Sequence, residues 1–267
     1  MKNNLLKIFG IILLAVAVFI GVRLFLDTYS PKDLKSEQFG PSELSPIETF
    51  APVNEDTETT YRIPDLSTEE ESSVDFDALH AINPDIYAWI EIPGTDISYP
   101  VVQHPSDDSF YLRTNSDGEY SAGGAIFSEA TYNTKGFDDP VTILYGHHMN
   151  AGNIMFGHLQ DYYSDSEFCE QDNPIRIYTA DGINEYHVFA AVPYSREHIL
   201  YYNDMSDPDT FTTFIESILS VREIGAYINE DYAPSDPSSD RVLILSTCLA
   251  GNNTRRFLVL ATLSQDQ

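Results

Sequence analysis

A mainly β domain, barrel or sandwich, is the architecture this sequence predicts. Its apolar residues fall in short runs rich in Val, Ile and Tyr, each bounded by Pro, Gly, Asn or Asp. Strands joined by tight turns read this way, whereas a parallel α/β sheet needs a helical period between successive strands. The few helical periods stand apart from the strand runs instead of alternating with them. At 267 residues the chain holds one sizeable domain with additional segments.

The N-terminal element is an uninterrupted apolar run, Ile8 to Val22, extending to Leu26 if Arg23 reaches the interface. As a helix it spans about 28 Å, close to a bilayer core. Ala15 and Ala17 form an A-x-A pattern inside the run instead of after it, so a retained anchor is expected in place of a cleaved signal peptide. Lys2, Lys7 and the terminal amine put the N-terminus in the cytoplasm and the remainder of a single-pass protein outside the cell membrane. Residues 28–73 are rich in Pro, Ser, Thr and acidic side chains and bury too little apolar surface to offset chain entropy. They read as an extended extracellular stalk, leaving 74–267 as the folded domain.

That domain opens with a short helix, in which Phe76, Leu79 and Ile82 recur at helical spacing until "NPD" breaks the run. Strands are then expected at Trp89–Ile92, Ser98–Val102, Gly124–Phe127, Val141–Tyr145, Ile175–Thr179, Glu185–Pro193, Val242–Thr247 and Phe257–Leu263. Two stretches are helical instead. "GNIMFGHLQDYYS" places Ile154, His158 and Leu159 on one side. "DPDTFTTFIESILSVREI" offers Asp207 as N-cap, Pro208 at the first position and an apolar face of Phe211, Phe214, Ile215 and Ile218.

Lys and Arg number 14 against 42 Asp and Glu, a net charge of −28. A field of that sign excludes nucleic acid as a partner, because phosphate binding needs positive charge. Two cysteines, Cys169 and Cys248, form neither a disulfide framework nor a paired-thiolate metal site. His148 and His158 lack the spacing of paired zinc ligands, so neither metal nor other cofactor is expected. His80, His104, His187 and His198 read as ordinary polar positions.

Chemistry concentrates at two strand ends. Cys248 closes the run "LILSTC", and Arg255 and Arg256 follow across the short loop "LAGNNT". A rigidly held thiol near positive charge can act as a thiolate nucleophile; the alternative is an inert buried cysteine. "VTILYGHHM" delivers a glycine and then His147 to the end of another strand, the residue type a thiol needs for proton transfer.

Together, "NPDIYAWIEIPGTDISYPVVQ", "DDSFYLR", "GAIFSEATYN", "ILYGHHMNAGNIMFGHL", "FCEQDNPIRIYT" and "LILSTCLAGNNTRRFLVLATL" resemble a sortase of class B, in order from about Asp75 to Leu263. The resemblance implies an eight-stranded β-barrel with N-terminal helices and a helix before the cysteine-bearing strand. It implies an extracellular cysteine transpeptidase that cleaves a sorting motif after Thr. The protein is then passed to an amine of a cell-wall precursor or a pilin. Carried over, Cys248 is the nucleophile, His147 (directly after "YG") the general acid and base, and Arg256 (directly before the last strand) the oxyanion and substrate group. Arg255 is then a solvated neighbour. Leu200, Tyr201 and Tyr202 are candidates for the substrate groove, with Leu112 opposite and Ser246 beside the cysteine; Cys169 stands where relatives often carry an aromatic and reads as a small core residue. A peptidoglycan L,D-transpeptidase is a rival, but it would place Gly before the cysteine and Arg two residues after, where this chain has Thr247 and Ala250. A catalytically silent surface-binding domain is the other.

Overall fold

The computed structural model describes residues 74–148, 155–171 and 173–264. The expected anchor at 8–26, the stalk at 28–73 and Ile154 lie outside the described residues. Among the described residues no helix is long and apolar enough to cross a membrane.

Nine strands make one sheet: β1 Ile86–Glu91, β2 Ser98–Val102, β3 Ile126–Phe127, β4 Val141–Tyr145, β5 Ile175–Thr179, β6 Gly182–Tyr194, β7 Tyr227–Ile228, β8 Val242–Leu249 and β9 Asn252–Leu263. Their order is β5-β1-β2-β3-β4-β8-β9-β6-β7, and β6 also pairs back onto β5. Eight strands therefore close into a barrel, with β7 appended outside the ring. Closure works because β6 is 13 residues long. Its first half pairs β5 from Gly182 to Tyr186, Ala190 and Ala191 pair β7 further along, and β9 runs along the other side.

Burial on both faces explains why the last two strands read as continuous apolar runs instead of alternating ones. On β8, Leu243 and Leu245 join the barrel interior with Phe257, Val259 and Ala261 of β9. Val242 and Ile244, with Leu258 and Leu260, face outward into a second core. The helix Pro208–Leu219 covers that outer core with Phe211, Phe214, Ile215 and Ile218, and its cap is the one expected: the Asp207 carboxylate accepts the Thr210 N–H at 2.9 Å. In chain order this helix is α5, after α1 (Phe76–Ile82), α2 (Leu159–Tyr163), α3 (Ser166–Glu170) and α4 (Ile199–Tyr202). α1 closes a third cluster through Phe76 and Leu79, packed with Trp89, Tyr111 and Phe127.

Several boundaries differ from the sequence expectation. Ile82 does not complete the apolar face of α1 and is 39% exposed. The second helical stretch starts only at Leu159, because Met155 adopts φ 57° and the chain turns there. His158 consequently sits at the N-cap position, paired with Asp161 at 2.6 Å on the surface. Cys169 is half-buried against the barrel core, its Sγ 3.7 Å from the Tyr163 carbonyl oxygen.

The run Gly124–Phe127 contributes only Ile126 and Phe127 to a strand, because Gly124 has φ +60° and a Cβ there would lie 2.4 Å from the Tyr111 carbonyl oxygen. Gly124→Ala is therefore expected to lower stability by about 2 kcal/mol or more, from left-handed strain plus a clash with backbone that has no side-chain freedom to yield. Urea unfolding measures it. An unchanged midpoint contradicts the reading.

Candidate active site

Parallel pairing brings the two chemistry-bearing strand ends together. β4 runs beside β8 in the same direction, with Tyr145 opposite Ser246, and the Gly146 N–H continues the ladder to the Ser246 carbonyl at 3.1 Å. Both strands reach the same rim, where β4 ends two residues before His147 and β8 carries Cys248. Glycine is needed between them and the barrel: a Cβ on Gly146 would lie 2.6 Å from both Ile126 Cδ1 and Phe156 Cδ2. Phe156 reaches that position because its N–H bonds the His147 carbonyl at 3.2 Å, folding the chain back under the rim.

The hairpin from β8 to β9 is tighter than the expected loop "LAGNNT". β8 continues through Cys248 to Leu249, β9 begins at Asn252, and the turn between them carries Gly251 at φ +71°. Cys248 pairs with Arg256 whereas Leu249 pairs with Asn252. Asn253, Thr254 and Arg255 are thus accommodated as a bulge. This irregularity separates the two arginines. Arg256 donates from Nη1 to Cys248 Sγ at 3.1 Å. Arg255 turns away to the surface, the solvated neighbour the sequence suggested, and there forms an exposed two-pronged ion pair with Glu223 at 2.8 and 2.7 Å.

His147 is oriented from a separate element. Its Nε2 lies 2.9 Å from the Leu112 carbonyl oxygen, at the end of the 3-10 turn Phe110–Leu112. A carbonyl only accepts, so Nε2 carries the hydrogen, and in the neutral ring Nδ1 is left as the basic nitrogen. Cys248, His147 and Arg256 line a common cavity of about 280 Å³.

Of the predicted groove residues, Leu112 and Ser246 line this cavity and Leu200, Tyr201 and Tyr202 do not. Leu200 packs against the outer core, since α4 turns it toward α5, while Tyr201 and Tyr202 stand exposed in edge-to-face contact at 4.9 Å. The cavity wall includes Asp108, Glu129, Tyr145 and His198 in their place. Glu129 Oε2 and His198 Nε2 are 2.8 Å apart, and the Tyr145 hydroxyl also hydrogen-bonds the carboxylate. Burial raises the Glu129 carboxyl above its ordinary range, while its His198 and Tyr145 partners oppose the shift. Glu129 and His198 lie 69 residues apart, so no spacing rule reveals the pair. The one local mark is an acid two residues beyond a buried strand, in "IFSE".

The other thiol is of a different kind. Burial, helped by Asp165, pushes the Cys169 thiol up to about 11, which leaves it protonated and unreactive at neutral pH.

Comparison with known proteins agrees with this architecture. The chain matches the family described as Sortase domain over residues 90–264. It is 30% identical over 188 residues to sortase B of Staphylococcus aureus, covering 70% of this chain and 73% of that protein. It is 32% identical over 170 residues to sortase B of Listeria monocytogenes, covering 64% of this chain and 65% of the relative. Among solved structures, the S. aureus sortase B–substrate complex superposes with a TM-score of 0.59 at 29% identity, over 72% of this chain and 85% of that one. Sortase B from B. anthracis gives a TM-score of 0.59 at 31% identity, over 72% and 83%. The closed eight-stranded barrel and these matches together place the chain in the sortase family, class B, whose members are cysteine transpeptidases.

Proposed function

We propose that this domain cleaves a sorting motif after Thr and transfers the thioacyl-linked protein to an amine of a peptidoglycan precursor or a pilin. The observation that carries the reading is the 3.1 Å contact between Arg256 Nη1 and Cys248 Sγ, on a rim that also holds His147. In the first step Sγ attacks the Thr carbonyl carbon. Negative charge moves onto the carbonyl oxygen, where the Arg256 guanidinium and a backbone N–H near Cys248 stabilise it. The C–N bond then breaks, the leaving amine takes a proton from the His147 imidazolium, and a thioester remains. In the second step the acceptor amine attacks the thioester, His147 takes its proton, and Sγ leaves with the bonding pair. Leu112 and Ser246 serve as walls for the peptide. No cofactor takes part in either step.

The apolar run at 8–26 is assigned as the bilayer anchor. It holds the N-terminus in the cytoplasm, and the stalk extends the catalytic domain outward to the surface proteins it processes.

The test is mass spectrometry of the intact enzyme incubated with a small library of peptides carrying Thr followed by Gly or Asn. A thioester adduct equal in mass to the acyl fragment, discharged onto added triglycine or another amine, is expected. Cleavage that yields acid alone, whatever amine is present, makes the domain a hydrolase and overturns the transfer step.

A further inference from the structure

The group that orients His147 is a backbone carbonyl on a three-residue 3-10 turn, Phe110–Leu112. Such a turn has poor hydrogen-bond geometry of its own, and the Ser109 side chain adds no cap to it. The Leu112 carbonyl is therefore fixed by what surrounds the turn.

The neighbouring residue supplies most of that hold. Tyr111 is buried in the third cluster with Phe76, Leu79 and Trp89, and its hydroxyl both accepts and donates. It accepts the Asn83 side-chain N–H at 2.9 Å and donates to Asp85 Oδ2 at 2.8 Å. Asn83 also donates to the Ser116 carbonyl at 3.0 Å and accepts the Asp85 N–H at 3.0 Å, so its buried amide has a single orientation. Asn83 is the C-cap of α1 and Asp85 directly precedes β1, which ties the turn to the α1–β1 junction of the barrel. Burial, opposed by Asn83 and helped by Asp85, pushes the Tyr111 phenol above its ordinary range, so the hydroxyl remains a donor. The 124–125 backbone completes the clamp. The Ala125 N–H bonds the Tyr111 carbonyl at 3.0 Å, and a Cβ on Gly124 would lie 2.9 Å from the Leu112 carbonyl oxygen.

We infer that Asn83, Tyr111 and Asp85 are positioning residues for the catalytic histidine: their network fixes the Leu112 carbonyl, which keeps the hydrogen of neutral His147 on Nε2 and leaves Nδ1 as the base. Without that acceptor a fraction of the molecules carries the hydrogen on Nδ1 instead, and those have no base at that nitrogen. The consequence for rate rests on the transpeptidase reading; the tautomer is a property of the enzyme without peptide.

¹⁵N NMR of the full chain labelled at histidine, at a pH where the imidazoles are neutral, tests it, with His147→Gln identifying the resonances among those of the seven histidines. Wild type is expected to show the Nε2–H tautomer of His147. Tyr111→Phe, which keeps the ring in the core and removes the hydroxyl, mixes the two tautomers and brings the two ring-nitrogen shifts closer together. With a quenched fluorescent peptide whose reactive centre is Thr-Asn, its kcat falls about tenfold, the scale of one lost hydrogen bond to a charged group, while KM moves by less than about threefold. Asp85→Asn still offers Tyr111 an acceptor oxygen and keeps the wild-type spectrum, with kcat within about twofold. Asp85→Ala offers none and behaves like Tyr111→Phe, at a half-buried position where folding is less at risk. A wild-type tautomer in both Tyr111→Phe and Asp85→Ala overturns the inference. So does a tenfold fall in kcat with the tautomer unchanged, which makes the network a support of the fold alone. The spectra need no peptide, so a wild-type enzyme that forms no thioester overturns the transpeptidase reading while the tautomer in the variants still decides the inference.

Discussion

Cys248→Ala is expected to abolish the thioester adduct and to lower peptide turnover by about 10⁴-fold or more, the scale on which removing the nucleophile of a catalytic set acts. The argument is positional. Cys248 is half-buried, opens onto the cavity, and is the cysteine whose sulfur meets a guanidinium. Cys169 is held by the Tyr163 carbonyl with its thiol pushed up to about 11. Cys169→Ala should therefore leave adduct formation within about twofold of wild type. Intact-mass measurement after incubation with the motif peptides checks both variants. An adduct of equal yield on the Cys248→Ala protein, or one lost with Cys169 instead, removes Cys248 from the mechanism.

The parts of the fold that show in sequence are those where a local rule and the tertiary environment agree. Val141–Tyr145 and Ile175–Thr179 have the expected boundaries because each is a buried β-branched run between turn residues. Asp207 and Pro208 announce α5 because capping is a matter of neighbouring residues. Expectation fails where geometry is set across the barrel. Nothing in "LAGNNT" tells a six-residue loop from a tight turn followed by a bulge, since the bulge depends on register between β8 and β9. Likewise "GNIMF" carries helical spacing, yet Phe156 is drawn under Gly146 by packing, which ends the periodicity as a guide.

The site divides along the same line. Cys248 and His147 stand out in sequence because each closes an apolar strand, and parallel pairing of those strands gives both the same rim. The choice between Arg255 and Arg256 rested on adjacency to the last strand; the physical cause is the bulge, which leaves Arg256 in register with Cys248 and turns Arg255 toward Glu223. Glu129 and His198 carry no such mark. Their partnership exists only once the barrel is closed and α4 is folded over its end.

Arg256→Ala is expected to lower kcat by about 10²–10³-fold, the effect of removing one preorganised donor from a developing oxyanion. The residue is fixed on both sides: β9 pairs it with Cys248 on one strand and with Tyr194 on the other, so its backbone has no freedom to bring a neighbour into the vacancy. Arg255 cannot substitute, because it belongs to the bulge and is engaged by Glu223 at 2.7 and 2.8 Å. Arg256→Lys should recover only part of the loss. An ammonium supplies the charge but lacks the planar fork that lets one nitrogen contact Sγ while another remains available to substrate. Arg255→Ala, by contrast, should change kcat by less than about fivefold, since it removes an exposed ion pair and no group of the cavity. Single-turnover acylation by quenched-flow separates these cases from effects on product release. Equal losses for the two arginines, or full activity in Arg256→Lys, would show that the positive charge matters only as a diffuse field, and that the 3.1 Å contact with Cys248 has no part in the chemical step.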